Sequence, residues 1–401
     1  MDIFSSPPPL APPTSEEDRL SWLRLLRSRR VGPATFFRLM GEHSGSATQA
    51  LVALQDVAAN AGVKGYEPCP EGVAQAELRN GFRAGAVPVF FGSSQYPKAL
   101  MDIPDCPPVL WARGDITLLS RPAIALVGAR NASSVGGRMA RKLSADLGAA
   151  GFVIISGLAR GIDKIVHEAA LATGTIAVVA GGVDVVYPSE NKLLTGQIAE
   201  QGLIVSELPP GLAPQARHFP KRNRIISGLA QAVVVVEAAA RSGSLITARN
   251  ALDQGRDVFA VPGHPFEARA AGGNMLIRDG ALLIRGAADV IEAIAPMVSM
   301  AELDVPQTLN ARQTYAPPTD VPKNGPKNGP KNGPKNGRTA SSSDLPQRIL
   351  DLLDTTPVAE DQLLRDLDIS PADAAHDLLM LELDGAIERH AGGLIGRVLR
   401  S

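Results

Sequence analysis

A chain of 401 residues with 45% apolar residues is long enough for more than one domain and apolar enough for a substantial core. Its 40 lysines and arginines nearly cancel its 41 aspartates and glutamates, so overall charge predicts no polyanionic partner, and such a partner must be argued from local clusters. Lone Cys69 and Cys106 give neither a metal-ligand spacing nor a disulfide framework. With no basic-then-apolar leader at Met1 and no apolar run of about 18 residues, the expectation is a cytoplasmic, soluble protein that does not enter a membrane.

In chain order, residues 1–14 are proline-rich and expected to be disordered. Residues 15–86 predict a helical domain. Ser15 followed by Glu16, Glu17 and Asp18 is first-turn chemistry, and Leu20, Leu23 and Leu26 form a helical stripe. Pro33 opens a second helix, and further helices are expected near 47–59 and 71–84. Gly32-Pro33, with Arg27, Arg29 and Arg30 nearby, is either a helix-hairpin-helix backbone binder or only a turn.

Residues 87–297 alternate strands with helices. The expected strands are 87–91, 109–112, 124–127, 152–155, 176–179, 203–205, 233–236, 258–261 and 282–284. The pattern implies a doubly wound α/β, Rossmann-like domain with a mostly parallel sheet covered on both faces. Residues 298–342 read as a flexible basic linker, because Pro-Lys-Asn-Gly runs four times from Pro322 to Gly337. Residues 343–401 return to helical periodicity and end in a short hairpin, the outline of a winged helix. Its second and third helices carry Asp361, Asp366, Asp368, Asp373, Asp377, Glu382 and Asp384 against Arg365 alone, which suits a protein partner better than DNA.

The chemistry gathers in the α/β region. Ala123–Val127 is a continuous apolar strand that breaks at Gly128 into a small-residue turn, and Met139, Leu143 and Leu147 mark the helix that follows. Such a turn aims backbone N–H groups and a helix dipole at an anion, and Arg130 adds a forked donor. Ser156-Gly157-Leu-Ala-Arg160 repeats the design after the next strand. No G-x-G-x-x-G, no acid at the second strand end and no P-loop lysine is present, so neither NAD nor ATP nor any other cofactor is expected.

Arg217-His-Phe219-Pro-Lys221-Arg222-Asn223-Arg224 is the densest basic cluster of this domain, and it follows another strand-end loop. A phenyl ring among cations suits base stacking with phosphate tracking. Arg241, Ser242 and Gly243 form a third loop on the same edge. Glu237 is either a catalytic carboxylate or the buried partner of a loop N–H. Asp163 and His167 lie four apart, either as an acid–base pair or as a helix-start acid and a histidine bonded to a neighbouring loop. No third His or Cys completes a metal site, and no activated nucleophile is recognisable.

These residues resemble the DNA-processing protein A family (DprA/Smf). The resemblance rests on Gly128-Ala-Arg, Ser156-Gly-Leu-Ala-Arg-Gly-Ile-Asp163 with His167, and Gly181-Gly-Val-Asp-Val-Val-Tyr-Pro-Ser-Glu-Asn191. Phe219-Pro-Lys-Arg-Asn-Arg-Ile-Ile-Ser-Gly228, Arg241-Ser-Gly-Ser-Leu-Ile-Thr-Ala248 and Val258-Phe-Ala-Val-Pro-Gly263 complete it. It implies a sterile-alpha-motif-like N-terminus, an extended Rossmann domain and a winged helix. It also implies a non-enzymatic, dimeric single-stranded DNA-binding protein that shields incoming DNA and loads the RecA recombinase in natural transformation. On this chain Arg130 would grip a phosphate while Phe219, Arg222 and Asn223 line the pocket. Ala129 departs from the serine usual in the family, and the Pro-Lys-Asn-Gly tether is long. The rival is a Rossmann-like nucleotide phosphoribohydrolase, whose Pro-Gly-Gly-x-Gly-Thr-x-x-Glu loop is replaced here by Arg241-Ser-Gly-Ser-Leu-Ile-Thr. A third reading is a scaffold that joins proteins through the acidic winged helix.

Overall fold

The computed structural model describes residues 10–60, 65–302, 345–353, 357–367, 369–390 and 394–398. Four helices come first: α1 (Glu16–Arg27), α2 (Pro33–Glu42), α3 (Ala47–Asn60) and α4 (Glu71–Arg83). The Ser15 hydroxyl accepts from the Asp18 N–H while Asp18 reaches back, a capping box that fixes where α1 begins. Trp22, Phe36 and Leu39 form the centre of this domain. Leu10 packs against the same core, and a Cβ at Gly92 would lie 2.8 Å from the Leu10 carbonyl. Residues 10–14 are therefore not a disordered tail, because one leucine among prolines finds an apolar seat; residues 1–9 lie outside the described residues.

The α/β domain follows as β1 (Val87–Phe90), α5 (Lys98–Met101), β2 (Val109–Gly114), β3 (Ala123–Gly128), α6 (Ser134–Ala149), β4 (Val153–Ser156), α7 (Ile162–Ala170), β5 (Thr175–Val178), α8 (Lys192–Gln201), β6 (Leu203–Ser206), α9 (His218–Leu229), β7 (Ala232–Glu237), α10 (Ser244–Asp253), β8 (Asp257–Ala260), α11 (Ala271–Arg278), β9 (Leu282–Leu283) and α12 (Ala287–Glu302). All nine expected strands are present, in the order β1-β2-β6-β5-β4-β3-β7-β8-β9. Strands β3 to β9 run parallel, whereas β1 and β2 extend the β6 edge antiparallel. Because α12 continues to Glu302, the domain outlasts the expected boundary at 297; residues 303–342 of the expected linker lie outside the described residues.

Strand alternation sends side chains to two cores. Val233 and Val235 pack with Ile225, Ile226 and Leu229 of α9 on one face; Leu126, Val234 and Val236 pack with Leu143 of α6 and Val166 of α7 on the other. Each fully buried aliphatic side chain of this kind stabilises the fold by about 1.5–3 kcal/mol. The helical domain is tied to the sheet by a polar knot. Arg27 donates to both carboxylate oxygens of buried Glu77 at 2.9 and 2.8 Å, and the Trp111 indole N–H donates to the same carboxylate at 2.9 Å. Arg27 is thereby committed within the fold rather than offered to DNA by the Gly32-Pro33 turn.

The third unit comprises α13 (Leu345–Leu352), β10 (Val358–Ala359), α14 (Glu360–Leu367), α15 (Pro371–Leu383), β11 (Ile387–His390) and β12 (Leu394–Arg397). Three helices with a β10-β12-β11 sheet make the expected winged helix. Ser370 caps α15 and Pro371 starts it; Asp368 lies outside the described residues. No helix among the described residues is long and apolar enough to cross a membrane.

Candidate nucleic-acid interface

Parallel strands place all their C-terminal loops on one edge, and the sheet reverses direction of growth between β3 and β7. A cleft of about 830 Å³ opens there, lined by the β3 loop at Arg130, the β7 loop at Arg241–Ser244, and Phe219, Arg222 and Asn223 of α9. A second lobe of about 470 Å³ continues beneath Arg130 and Phe219 to Tyr187 and Pro188. The Arg130 guanidinium lies 5.6 Å from the centre of the Phe219 ring, and the Tyr187 ring packs at 5.6 Å on a tilt. Phe219 is half-buried and Tyr187 50% exposed, so both rings keep area for a ligand. A groove of about 780 Å³ between α1, α3 and α4 mixes Arg19, Arg24 and Arg79 with Glu16, Glu17 and Glu71, a lining that favours neither sign of charge.

The basic cluster is not a loop. Its residues 218–224 form the first two turns of α9, with Pro220 tolerated in the first turn. Helical spacing then sorts the charges. Phe219, Arg222, Asn223 and Ile226 share the face toward the cleft, while Arg217 and Lys221 are exposed. Arg224 turns away: it pairs with Glu207 at 2.6 Å and Asp105 at 2.8 Å, so it serves the fold rather than a phosphate.

Arg222 requires a larger correction. It is 6% exposed, and one guanidinium nitrogen donates to the Val178 carbonyl at 2.7 Å. The guanidinium presses so closely on the second loop that a Cβ at Gly157 would sit 1.8 Å from it. Burial lowers the Arg222 pKa to about 10, against the attraction of Asp163, which is itself buried and pushed upward by that burial. Arg222 is thus a buried part of the cleft floor, with one guanidinium nitrogen already engaged by the Val178 carbonyl. Ser156, expected as a contact, is also buried and donates its hydroxyl to the Leu126 carbonyl at 2.7 Å. Arg160 is exposed on the second loop and pairs with Glu190 at 2.5 Å. Asn191, singled out only within a longer motif, donates to the Leu158 and Ala159 carbonyls at 3.0 and 3.2 Å and braces that loop. The brace holds Leu158 at φ +55°, a left-handed conformation rare for a bulky residue. No periodicity in the sequence marks this strain.

Glu237 resolves as the half-buried partner of a loop N–H. Its carboxyl oxygen accepts from the Ser133 N–H at 2.9 Å. His167 accordingly resolves as a structural histidine: its Nδ1 bonds the Thr175 hydroxyl at 2.7 Å. Burial, reinforced by Arg222, lowers its pKa to about 3. A pKa depressed below the unfolded value makes the unfolded chain take up more protons, so the stability present above pH ~6.5 is lost as pH falls toward 3. Moving from pH 7 to pH 5 is expected to cost about 2 kcal/mol through this one group. Thermal melting of wild type and His167→Gln at the two pH values checks this: the variant loses that difference, and an equal drop in both proteins refutes the assignment.

Comparison with known proteins places these features in one family. The family described as DNA recombination-mediator protein A matches residues 88–295, the DprA-like N-terminal HHH domain matches 16–80, and the DprA winged helix domain matches 333–393. The DNA processing protein DprA of Bacillus subtilis is 48% identical over 205 residues, covering 50% of this chain and 69% of that protein. Protein Smf of Synechocystis is 36% identical over 308 residues, covering 74% and 76%. The crystal structure of DprA from Streptococcus pneumoniae aligns with a TM-score of 0.58 at 35% identity, over 69% of this chain and 96% of that one. With the core domain matched over residues 88–295 and both flanking modules in order, the chain belongs to the DprA/Smf family of DNA processing proteins.

Proposed function

We propose that the cleft binds single-stranded DNA by holding phosphates on Arg130 and Arg241 and stacking a base on Phe219, without reading base edges and without catalysis. The observation that carries this is the Phe219 ring, flanked by the Arg130 guanidinium and the Tyr187 ring at the sheet edge where loops converge. Every base has a π face, so such a platform is sequence-tolerant, and a duplex keeps its bases stacked away from it. Arg217 and Lys221, exposed on the first turn of α9, extend the positive path; Ser242 and Gly243 contribute loop backbone beside Arg241.

The family description as a recombination mediator supports the next step, transfer of the strand to the RecA recombinase during transformation by a homodimer in the cytoplasm. The proposed activity is protection and delivery of DNA rather than hydrolysis. Oligo-dT is expected to bind more tightly than a blunt duplex of equal length, and no base is expected to be released from nucleoside monophosphates. Equal or tighter duplex binding, or base release, overturns the proposal.

The acidic winged helix is proposed to serve a protein partner. Truncation after residue 302 is therefore expected to lower affinity for oligo-dT by less than tenfold, or about 1.4 kcal/mol. A greater loss in the same titration would put the winged helix on the DNA.

A further inference from the structure

The turn between β3 and α6 is the place where strand–turn–helix folds seat a ligand's phosphates, because free N–H groups and the helix dipole converge there. In this chain a side chain already sits in it. The Glu237 carboxyl accepts from the Ser133 backbone N–H at 2.9 Å and is bonded by the Ser133 side chain as well. Ser133 also caps α6 by accepting from the Gly136 N–H at 2.9 Å. The carboxyl lies so close to the helix that a Cβ at Gly136 would be 2.5 Å from it.

Its arrival there depends on a backbone irregularity. β7 pairs with β3 as Val127 with Val235, and the next pair is Gly128 with Glu237, so Val236 is extra. Period-two alternation would send Glu237 to the α9 face with Val233 and Val235. The shift instead turns it toward α6, as bulges do when they re-aim a side chain beside a functional site. Arg269 lies within electrostatic reach of the carboxyl, and Glu267 opposes it. Glu237 is not among the residues lining the DNA cleft.

We propose that Glu237 is a specificity-determining residue: an internal stand-in for phosphate that fills the anion seat of α6 and so excludes free nucleoside diphosphates and pyrophosphate from this Rossmann-like edge. The fold would otherwise present two anion sites side by side, one for a strand and one for small nucleotides. The inference rests on the β3–β7–α6 geometry and stands whether or not the neighbouring cleft takes DNA.

The test is calorimetric titration of the full-length protein with inorganic pyrophosphate and with ADP, beside oligo-dT as a separate arm. Wild type is expected to show no binding of either small anion at millimolar concentration. Glu237→Ala is expected to bind pyrophosphate at least tenfold more tightly than wild type, with oligo-dT affinity within threefold. Glu237→Gln, whose amide oxygen still accepts from Ser133, is expected to behave as wild type. Should the alanine variant fail to fold, Glu237→Ser vacates the same seat and keeps a polar group. Pyrophosphate binding by wild type, no gain in a folded alanine or serine variant, or an equal gain in the glutamine variant overturns the proposal. Absence of oligo-dT binding in wild type would defeat the DNA reading alone.

Discussion

Replacing Arg222 with alanine is expected to destabilise the protein by about 3 kcal/mol, the scale for deleting a buried charged donor and leaving its surroundings unsatisfied. For a domain of this size that lowers the melting temperature by roughly 6–12 °C. The cost arises in three places. The Val178 carbonyl loses its donor, the space against Gly157 empties, and the buried Asp163 carboxyl loses the charge that most opposes its desolvation. DNA affinity measured below the transition then falls because the cleft floor collapses, not because one phosphate contact is missing. A folded variant melting within about 2 °C of wild type, with a reduced salt slope, would instead make Arg222 a solvated phosphate ligand.

Phe219→Ala is expected to weaken oligo-dT binding by about 2 kcal/mol, or roughly thirtyfold, the cost of losing one stacked base. The loss should be similar for dT, dA and dC oligomers, since stacking and phosphate contacts do not read base edges. Arg130→Ala is expected to lower the slope of log affinity against log salt by about 0.7 for a single strand, one phosphate's worth of released counterion. Phe219→Ala should leave that slope unchanged. Titrations at several salt concentrations separate the two roles, and a Phe219 variant with wild-type affinity would remove the ring from the binding site.

Much of this fold was legible in the sequence because its signals are local. Nine apolar runs bounded by turn residues gave nine strands, and start signals at Ser15 and Pro33 marked two helix starts. What stayed hidden depends on partners distant in the chain. Four cations in eight residues read as one basic cluster facing a polyanion, whereas α9 buries Arg222 and Arg224 against Val178, Glu207 and Asp105. Arg130 and Phe219, by contrast, were rightly expected on one edge, since parallel topology alone puts them there. The seating of Glu237 was left open because the one-residue shift between β3 and β7 leaves no trace in the hydrophobic pattern of either strand.

Photocrosslinking addresses the central claim most directly. An oligo-dT carrying 5-iodouracil, irradiated on the full-length protein and mapped by mass spectrometry, reports which aromatic side chain lies against a base. The expected crosslinks fall on Phe219 and on Tyr187 beside it, and those at Phe219 vanish in Phe219→Ala. Crosslinks confined to the helical domain or the winged helix, with neither ring labelled, would contradict the account.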